Sequence, residues 1–340
     1  MKEQKIKKPG KRPSLSLPKL KKNRTPIETA LRKRKRLKYI AVLPTTVTLL
    51  NAVCGFFSIV YASRGPGVLP DNDLLNMADF SFFAISGYLI LAAMIADVLD
   101  GQVARWSGTA SSFGGQLDSL SDVLSFGVAP AFLMYKVVEA RFGLDTFEHI
   151  FFFPVSLWKN LPLYNLHKVQ MAENWILFAA IFFMLCTIIR LARFNVENDT
   201  DLSRHQSFAG LPSPAAAGVV VSLVIFLEDY LPGITDQLPN FSAALADICI
   251  WILPLAALLC GILMVSRIRY SHLVNRLFRK KKNFTSVLLV LFTGFLVALN
   301  IQLTILVGFW FFAIAGFVRS IYADIERIHS KKKTTAHPLE

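Results

Sequence analysis

The chain has 340 residues, of which 54% are hydrophobic and only 18% charged, with a formal net charge of +14. That composition is too apolar for a soluble domain and too long for a single anchor, so the expected class is an all-α, polytopic membrane helix bundle. The basic excess would suit a nucleic-acid partner, but 16 of the 37 Lys and Arg fall in residues 1–38, with prolines and no groove-reading motif beside them, which argues against one.

In chain order, residues 1–38 read as a disordered basic cytoplasmic arm lying near anionic lipid. The first apolar run begins near residue 40, after that arm, so no cleavable signal peptide is expected. Apolar segments long enough to span a bilayer fall at about 40–62, 79–99, 113–137, 174–193, 212–231, 244–265, 284–300 and 302–320, about eight helices. The last two are short and are parted only by a polar turn around Asn300 and Gln302, which makes them the weakest of the set. Between the third and fourth, segment 139–172 carries "FFFPVSLW", too short to cross and read as interfacial or re-entrant. Residues 39–270 form the expected main membrane domain, 271–325 a C-terminal helix pair and 326–340 a basic cytoplasmic tail. Cys54, Cys186, Cys249 and Cys260 all sit in apolar runs without metal-ligand spacing, as buried reduced thiols would.

Charge sets the orientation. With the N-terminus in the cytoplasm, the inside segments hold 32 Lys and Arg and the outside segments 5, while Asp71, Asp73, Asp145, Glu148, Glu228, Asp229 and Asp236 fall outside. An even number of spans returns the C-terminus to the same side, and Lys331 to Lys333 agree with that.

This orientation brings "DVLDGQVARWSGTASSFGGQLDSLSD", residues 97–122, to the cytoplasmic mouth between the second and third spans. Asp97 and Asp100 are three apart and share a helical face that Ala104 continues; Asp118 and Asp122 are four apart, with Gly114 one turn earlier on the same stripe. Two antiparallel helix ends facing each other would converge all four carboxylates, with small Gly101, Ala104 and Gly114 allowing close approach. Arg105 is one nearby cation and cannot balance four acids. Hard oxygen ligands without His or Cys point to Mg2+ or Mn2+, and four carboxylates suit two ions. Two plainer readings compete: solvated loop acids at a membrane edge, and a cation-transport site. Acids at a membrane segment are costly without a role, and transport sites sit near mid-membrane on broken helices rather than at a mouth.

The spacing Asp97-x2-Asp100-Gly101-x2-Ala104-Arg105-x8-Gly114-x3-Asp118-x3-Asp122 resembles the signature of the CDP-alcohol phosphotransferase family. "LPTTVTLLNAVCGFFSI", "SFGVAPA", "RLARFN", "GLPSPAAAG" and "LMVSRIRY" are similar to the integral-membrane branch that joins CDP-diacylglycerol to serine, over about residues 38–270. The resemblance implies that Asp97, Asp100, Asp118 and Asp122 hold two divalent metals on a CDP-linked lipid and that Asp122 is also the catalytic base. It implies that Gly101, Ala104 and Gly114 pack against the cytidine nucleotide, and it suggests a homodimer; the charge count puts the active site of this inner-membrane protein on the cytoplasmic side.

The implied reaction transfers phosphatidyl from CDP-diacylglycerol to the hydroxyl of L-serine and releases CMP. A metal on a carboxylate weakens it as a base, so either a loose transition state lets a weak base suffice or the metal acidifies the hydroxyl directly; the residues leave both open. Arg105 would meet the nucleotide phosphates or pin the aspartate loop. Thr48 and Asn51, three apart in the first span, would meet the cytidine or bond across helices. The serine carboxylate calls for a cation: Arg190 first, then Arg193 and Arg267, with Arg204 and Arg269 also on that side. Each is otherwise an ordinary inside anchor. Glycerol phosphate or an inositol derivative would fit the same chemistry, and a non-enzymatic cation transporter is the alternative from another class.

Overall fold

The computed structural model describes residues 26–68, 81–107, 112–141, 162–200, 210–235, 237–266 and 294–335. In hydrocarbon every backbone N–H and C=O must find its partner within the protein, and apolar runs of span length satisfy this as helices. Nearly all described residues are helical, and Val68 and Ser81 make a single isolated bridge. The helices are α1 (Pro26–Ser63), α2 (Phe82–Ser107), α3 (Ser112–Asp122), α4 (Ala129–Arg141), α5 (Pro162–Thr200), α6 (Ser213–Ile225), the short α7 (Pro232–Thr235), α8 (Pro239–Val265) and α9 (Ile301–Thr335). A π-helical turn, Val123–Val128, joins α3 to α4, and a second, Phe226–Tyr230, ends α6.

Seven stretches among the described residues are long and apolar enough to cross a membrane: Thr45–Ser63, Phe82–Val103, Phe113–Arg141, Asn174–Val196, Ser213–Tyr230, Pro239–Val265 and Ile301–Arg319. Each matches an expected span to within a few residues. The remaining expected span, 284–300, lies largely outside the described residues, as does "FFFPVSLW". Of the arm expected over 1–38, the part from Pro26 on is helical, because α1 starts there and runs 38 residues without a break, while residues 1–25 lie outside the described residues. The stretch "ETALRKRKRLKY" has no internal Gly or Pro and is rich in good helix formers, so it extends a helix already nucleated by the apolar span.

Helix α6 is the centre of the bundle. Every residue from Ala215 to Ile225 is buried, and α2, α4, α8 and α9 surround it. Glycine notches set the close approaches. A Cβ on Gly218 would lie 2.2 Å from the Phe309 ring of α9, and one on Gly87 of α2 would lie 2.8 Å from Ile225. Small residues at crossings let helices gain dispersion contacts where lipid offers no hydrophobic drive. The four cysteines are free, three of them buried.

The end of the bundle that carries Ser81 holds a buried polar cluster. Glu228 accepts from Arg141 Nη2 and from Ser81 Oγ, each at 2.8 Å, while Asp229 accepts from Tyr88 Oη at 2.6 Å and Gln302 Nε2 at 3.0 Å. These bonds tie α2, α4, α6 and α9 together. Nineteen residues of helix separate Ser81 from Asp100, about 28 Å at 1.5 Å per residue, close to the thickness of a hydrocarbon core. Asp97 and Asp100, with Asp118 and Asp122 gathered beside them, therefore lie at the opposite end of the bundle from this cluster.

Candidate active site

Three carboxylates, from Asp97 on α2 and from Asp118 and Asp122 on α3, each place one oxygen within 4.8 Å of the others. The two-face pattern expected from the spacing is thus realised for these three. Asp100 stands outside the trio: it is 6% exposed and accepts a hydrogen bond from Thr48 Oγ1 of α1. It remains electrostatically coupled to Asp97 and Asp118.

The geometry depends on α1, which packs against both α2 and α3. Thr48 and Asn51, one turn apart, are each buried. Thr48 holds Asp100, and Asn51 Nδ2 donates to Asp122 Oδ1 at 3.0 Å. Both residues therefore use their side chains across helices, one of the two roles expected of them. The π-helical turn after Asp122 is locked to the same place. Ser125 Oγ donates to the Asn51 backbone carbonyl at 2.8 Å, and Gly55, one turn below, lets the turn press so close that a Cβ there would lie 2.5 Å from Ser125 Oγ. An inserted residue widens the helix locally and re-aims the side chains before it, which is why such turns recur at functional sites.

A second wall comes from α5. Arg190 Nη1 donates to Ser213 Oγ at 2.8 Å, and its Nε is buried without a partner. Arg190 is also within electrostatic reach of Asp122, short of an ion pair. Ser213 opens α6 behind the loop Gly210–Pro212. Gly210 has φ +90, and a Cβ there would lie 2.2 Å from Met264 O, so backbone conformation and space both require glycine. Leu211 N donates to Leu263 O at 3.0 Å, which fixes this loop to the end of α8 and so fixes Ser213 under Arg190. Arg193 lies half-buried one turn further along α5. Gly101 and Gly114 sit half-buried on α2 and α3 beside the aspartates. The side chains of Ala104 and Arg105, and all of Arg204, Arg267 and Arg269, lie outside the described residues.

The donor set fits a divalent cation. Three carboxylates gathered in a poorly solvated place repel one another unless a cation joins them, and the available ligands are all hard oxygens. Asn51 Oδ1, fully buried and without a hydrogen-bond partner, adds an unsatisfied acceptor at the same spot.

The sequence model of the CDP-alcohol phosphatidyltransferase family matches residues 41–260. The chain belongs to that family. The matched region takes in α2, α3 and all four aspartates and stops short of α9. Among relatives of this phosphatidyltransferase, the CDP-diacylglycerol–serine O-phosphatidyltransferase of Helicobacter pylori is 31% identical over 86% of this chain and 97% of its own. The protein of the same name from Methanocaldococcus jannaschii is 32% identical over 71% of this chain and 80% of its own. The archaetidylserine synthase of Methanothermobacter thermautotrophicus is 31% identical over 70% and 73% respectively.

Sequence reasoning passed over Ser119, Ser125, Asn195 and Ser213. Three of them stood inside the quoted motifs "SFGVAPA", "RLARFN" and "GLPSPAAAG". The available signal was position: Ser125 is three residues past Asp122, so it sits one turn along the same helix.

Proposed function

We propose that this phosphatidyltransferase moves the phosphatidyl group of CDP-diacylglycerol to the hydroxyl of L-serine, giving phosphatidylserine and CMP. The observation that carries the reading is the trio Asp97, Asp118 and Asp122 at one end of the bundle, with a partly buried arginine beside it. The names of the relatives supply the acceptor. The excess of Lys and Arg on one side supports a location of this end at the cytoplasmic face of the cell membrane, and the homodimer rests on the family resemblance alone.

Asp97, Asp118 and Asp122 would hold one divalent ion, and Asp100, oriented by Thr48, would complete the set for a second. Mg2+ or Mn2+ bound there would neutralise the pyrophosphate oxygens and stabilise charge on the departing CMP. The chain's own residues do the rest. Gly101, Ala104 and Gly114 leave room for the nucleotide, and Arg105 meets its phosphates. Asn51 holds Asp122 Oδ1 through its amide, which leaves the second oxygen of Asp122 to take a proton. Arg190 offers its unpartnered Nε–H to the serine carboxylate, with Arg193 and Arg267 as further cations on that side. The serine oxygen forms its bond to the phosphorus that bears diacylglycerol, the bond from that phosphorus to the CMP oxygen breaks, and the hydroxyl proton passes to Asp122.

Reconstituted protein supplied with CDP-diacylglycerol and a panel of labelled acceptors tests this. L-serine is expected to be converted in preference to glycerol 3-phosphate and myo-inositol, with CMP released in equal amount. Preference for another acceptor would overturn the serine assignment, and CMP release from none would overturn the enzyme reading.

A further inference from the structure

Three contacts align α3 and its π-helical turn with α5 in an antiparallel register. Gly127 lies against Thr187, where a Cβ would be 3.2 Å from Thr187 Cβ. Asp122 is within electrostatic reach of Arg190. Ser119 Oγ donates to Asn195 Oδ1 at 3.0 Å. Numbers fall along one helix as they rise along the other, so the three levels stack along one seam between the helices. Its inner end is closed by Gly127 and Thr187. At its middle level stand Asp122 and Arg190, whose Nε is buried without a partner. Ser119 and Asn195, both part-buried, bridge it at the outer end.

We propose that the Ser119–Asn195 bridge limits the length of the acceptor, making these two the positioning residues that restrict the enzyme to a three-carbon amino alcohol. This rests on the reading above, in which Asp122 takes the proton and Arg190 the carboxylate. Asp122 and Ser119 are three residues apart, about 4.5 Å of helix rise. Serine carries its hydroxyl and carboxylate on adjacent carbons and spans from Asp122 to Arg190 at their shared level, and with Gly127 packed on Thr187 at the inner end, added length bows toward the bridge. One more methylene pushes an acceptor against the bridge. The bridge has a competing partner, since the single Ser119 proton is shared with Gly115 O at 3.0 Å, so the limit is set by one modest hydrogen bond that substitution can open.

The test compares L-serine with L-homoserine in reconstituted wild type, Ser119→Ala, Asn195→Ala, the double variant and Ser119→Thr. In the alanine variants the preference for serine over homoserine, read as the ratio of kcat/KM values, is expected to fall about tenfold, the lower end of what one methylene is worth in a fitted pocket. Serine KM rises and the CDP-diacylglycerol KM stays as in wild type. The double variant behaves like either single one, because the two side chains act as one bridge, and Ser119→Thr, which keeps the hydroxyl, retains the wild-type ratio. An unchanged ratio in both alanine variants would overturn the proposal, as would a uniform loss of kcat with every acceptor, which marks a purely structural bond. If wild type prefers an acceptor other than serine, the serine assignment fails by itself; the bridge is then judged by the same ratio for that acceptor and its one-carbon-longer homologue.

Discussion

Asp122→Asn is expected to lower CMP release about a thousandfold, in the range typical for loss of a positioned base, while CDP-diacylglycerol still binds. Asparagine has the same shape, and its carbonyl oxygen can still accept from Asn51 Nδ2, which lies 3.0 Å from Asp122 Oδ1 in the native site. The π-helical turn held by Ser125 and Gly55 is untouched. What disappears is one negative charge and the capacity to take the serine proton. Asp97 and Asp118 remain to hold a cation, so lipid affinity falls little. Turnover and equilibrium binding of the CDP-lipid, measured on the same purified preparation, separate the two effects. A near-normal rate at saturating metal would remove the base role and leave direct acidification of the hydroxyl by the metal.

Arg190→Leu is expected to raise the serine KM about a hundredfold, the cost of leaving a desolvated charge without its partner, and to move the CDP-diacylglycerol KM far less. Leucine fills a similar part of the volume and suits a membrane helix, so α5 keeps its packing. Ser213 loses one donor, but the loop before it stays fixed through Gly210 and the Leu211–Leu263 bond. Arg190 also faces Asp122, so some loss of kcat accompanies the change. Initial rates with each substrate varied in turn distinguish the outcomes. Equal increases in both KM values would show that Arg190 supports the site as a whole and does not receive the acceptor.

The aspartate face was legible because helical periodicity needs only local sequence. Spacings of three and four place carboxylates on one side of a helix wherever that helix later packs. The spans were legible for a similar reason, since lipid demands long apolar helices. What local spacing does not carry is which distant helix braces the acids. Thr48 reaches Asp100 across 52 residues and Asn51 reaches Asp122 across 71. Helix α1 was therefore known as a span but not as the brace of the site. The same limit explains why Asp100 was expected among the ligands but stands apart from the trio, since its partner comes from α1. The π-helical turn at Val123–Val128 leaves no period in the sequence, and so neither Ser125 nor the close approach at Gly55 drew notice. Ser119, Asn195 and Ser213 are small polar residues of a kind common in membrane helices; only the α3–α5 register and the fixed Gly210 loop give them meaning. The basic segment before the first span went the other way. Its charge suggested disorder, but helix propagation from the span carries it back to Pro26.

The most direct measurement is Mn2+ titration of the purified protein in detergent, with free ion read by electron paramagnetic resonance, in the presence and absence of CDP-diacylglycerol. The wild-type protein should bind Mn2+ more tightly when the lipid is present, and Mg2+ should compete. Asp97→Asn should lose both the binding and its enhancement by lipid, with the fold intact by thermal melting. Mn2+ binding that is absent from the wild type, or that persists unchanged in Asp97→Asn and in Asp118→Asn, would contradict a metal site built from these aspartates.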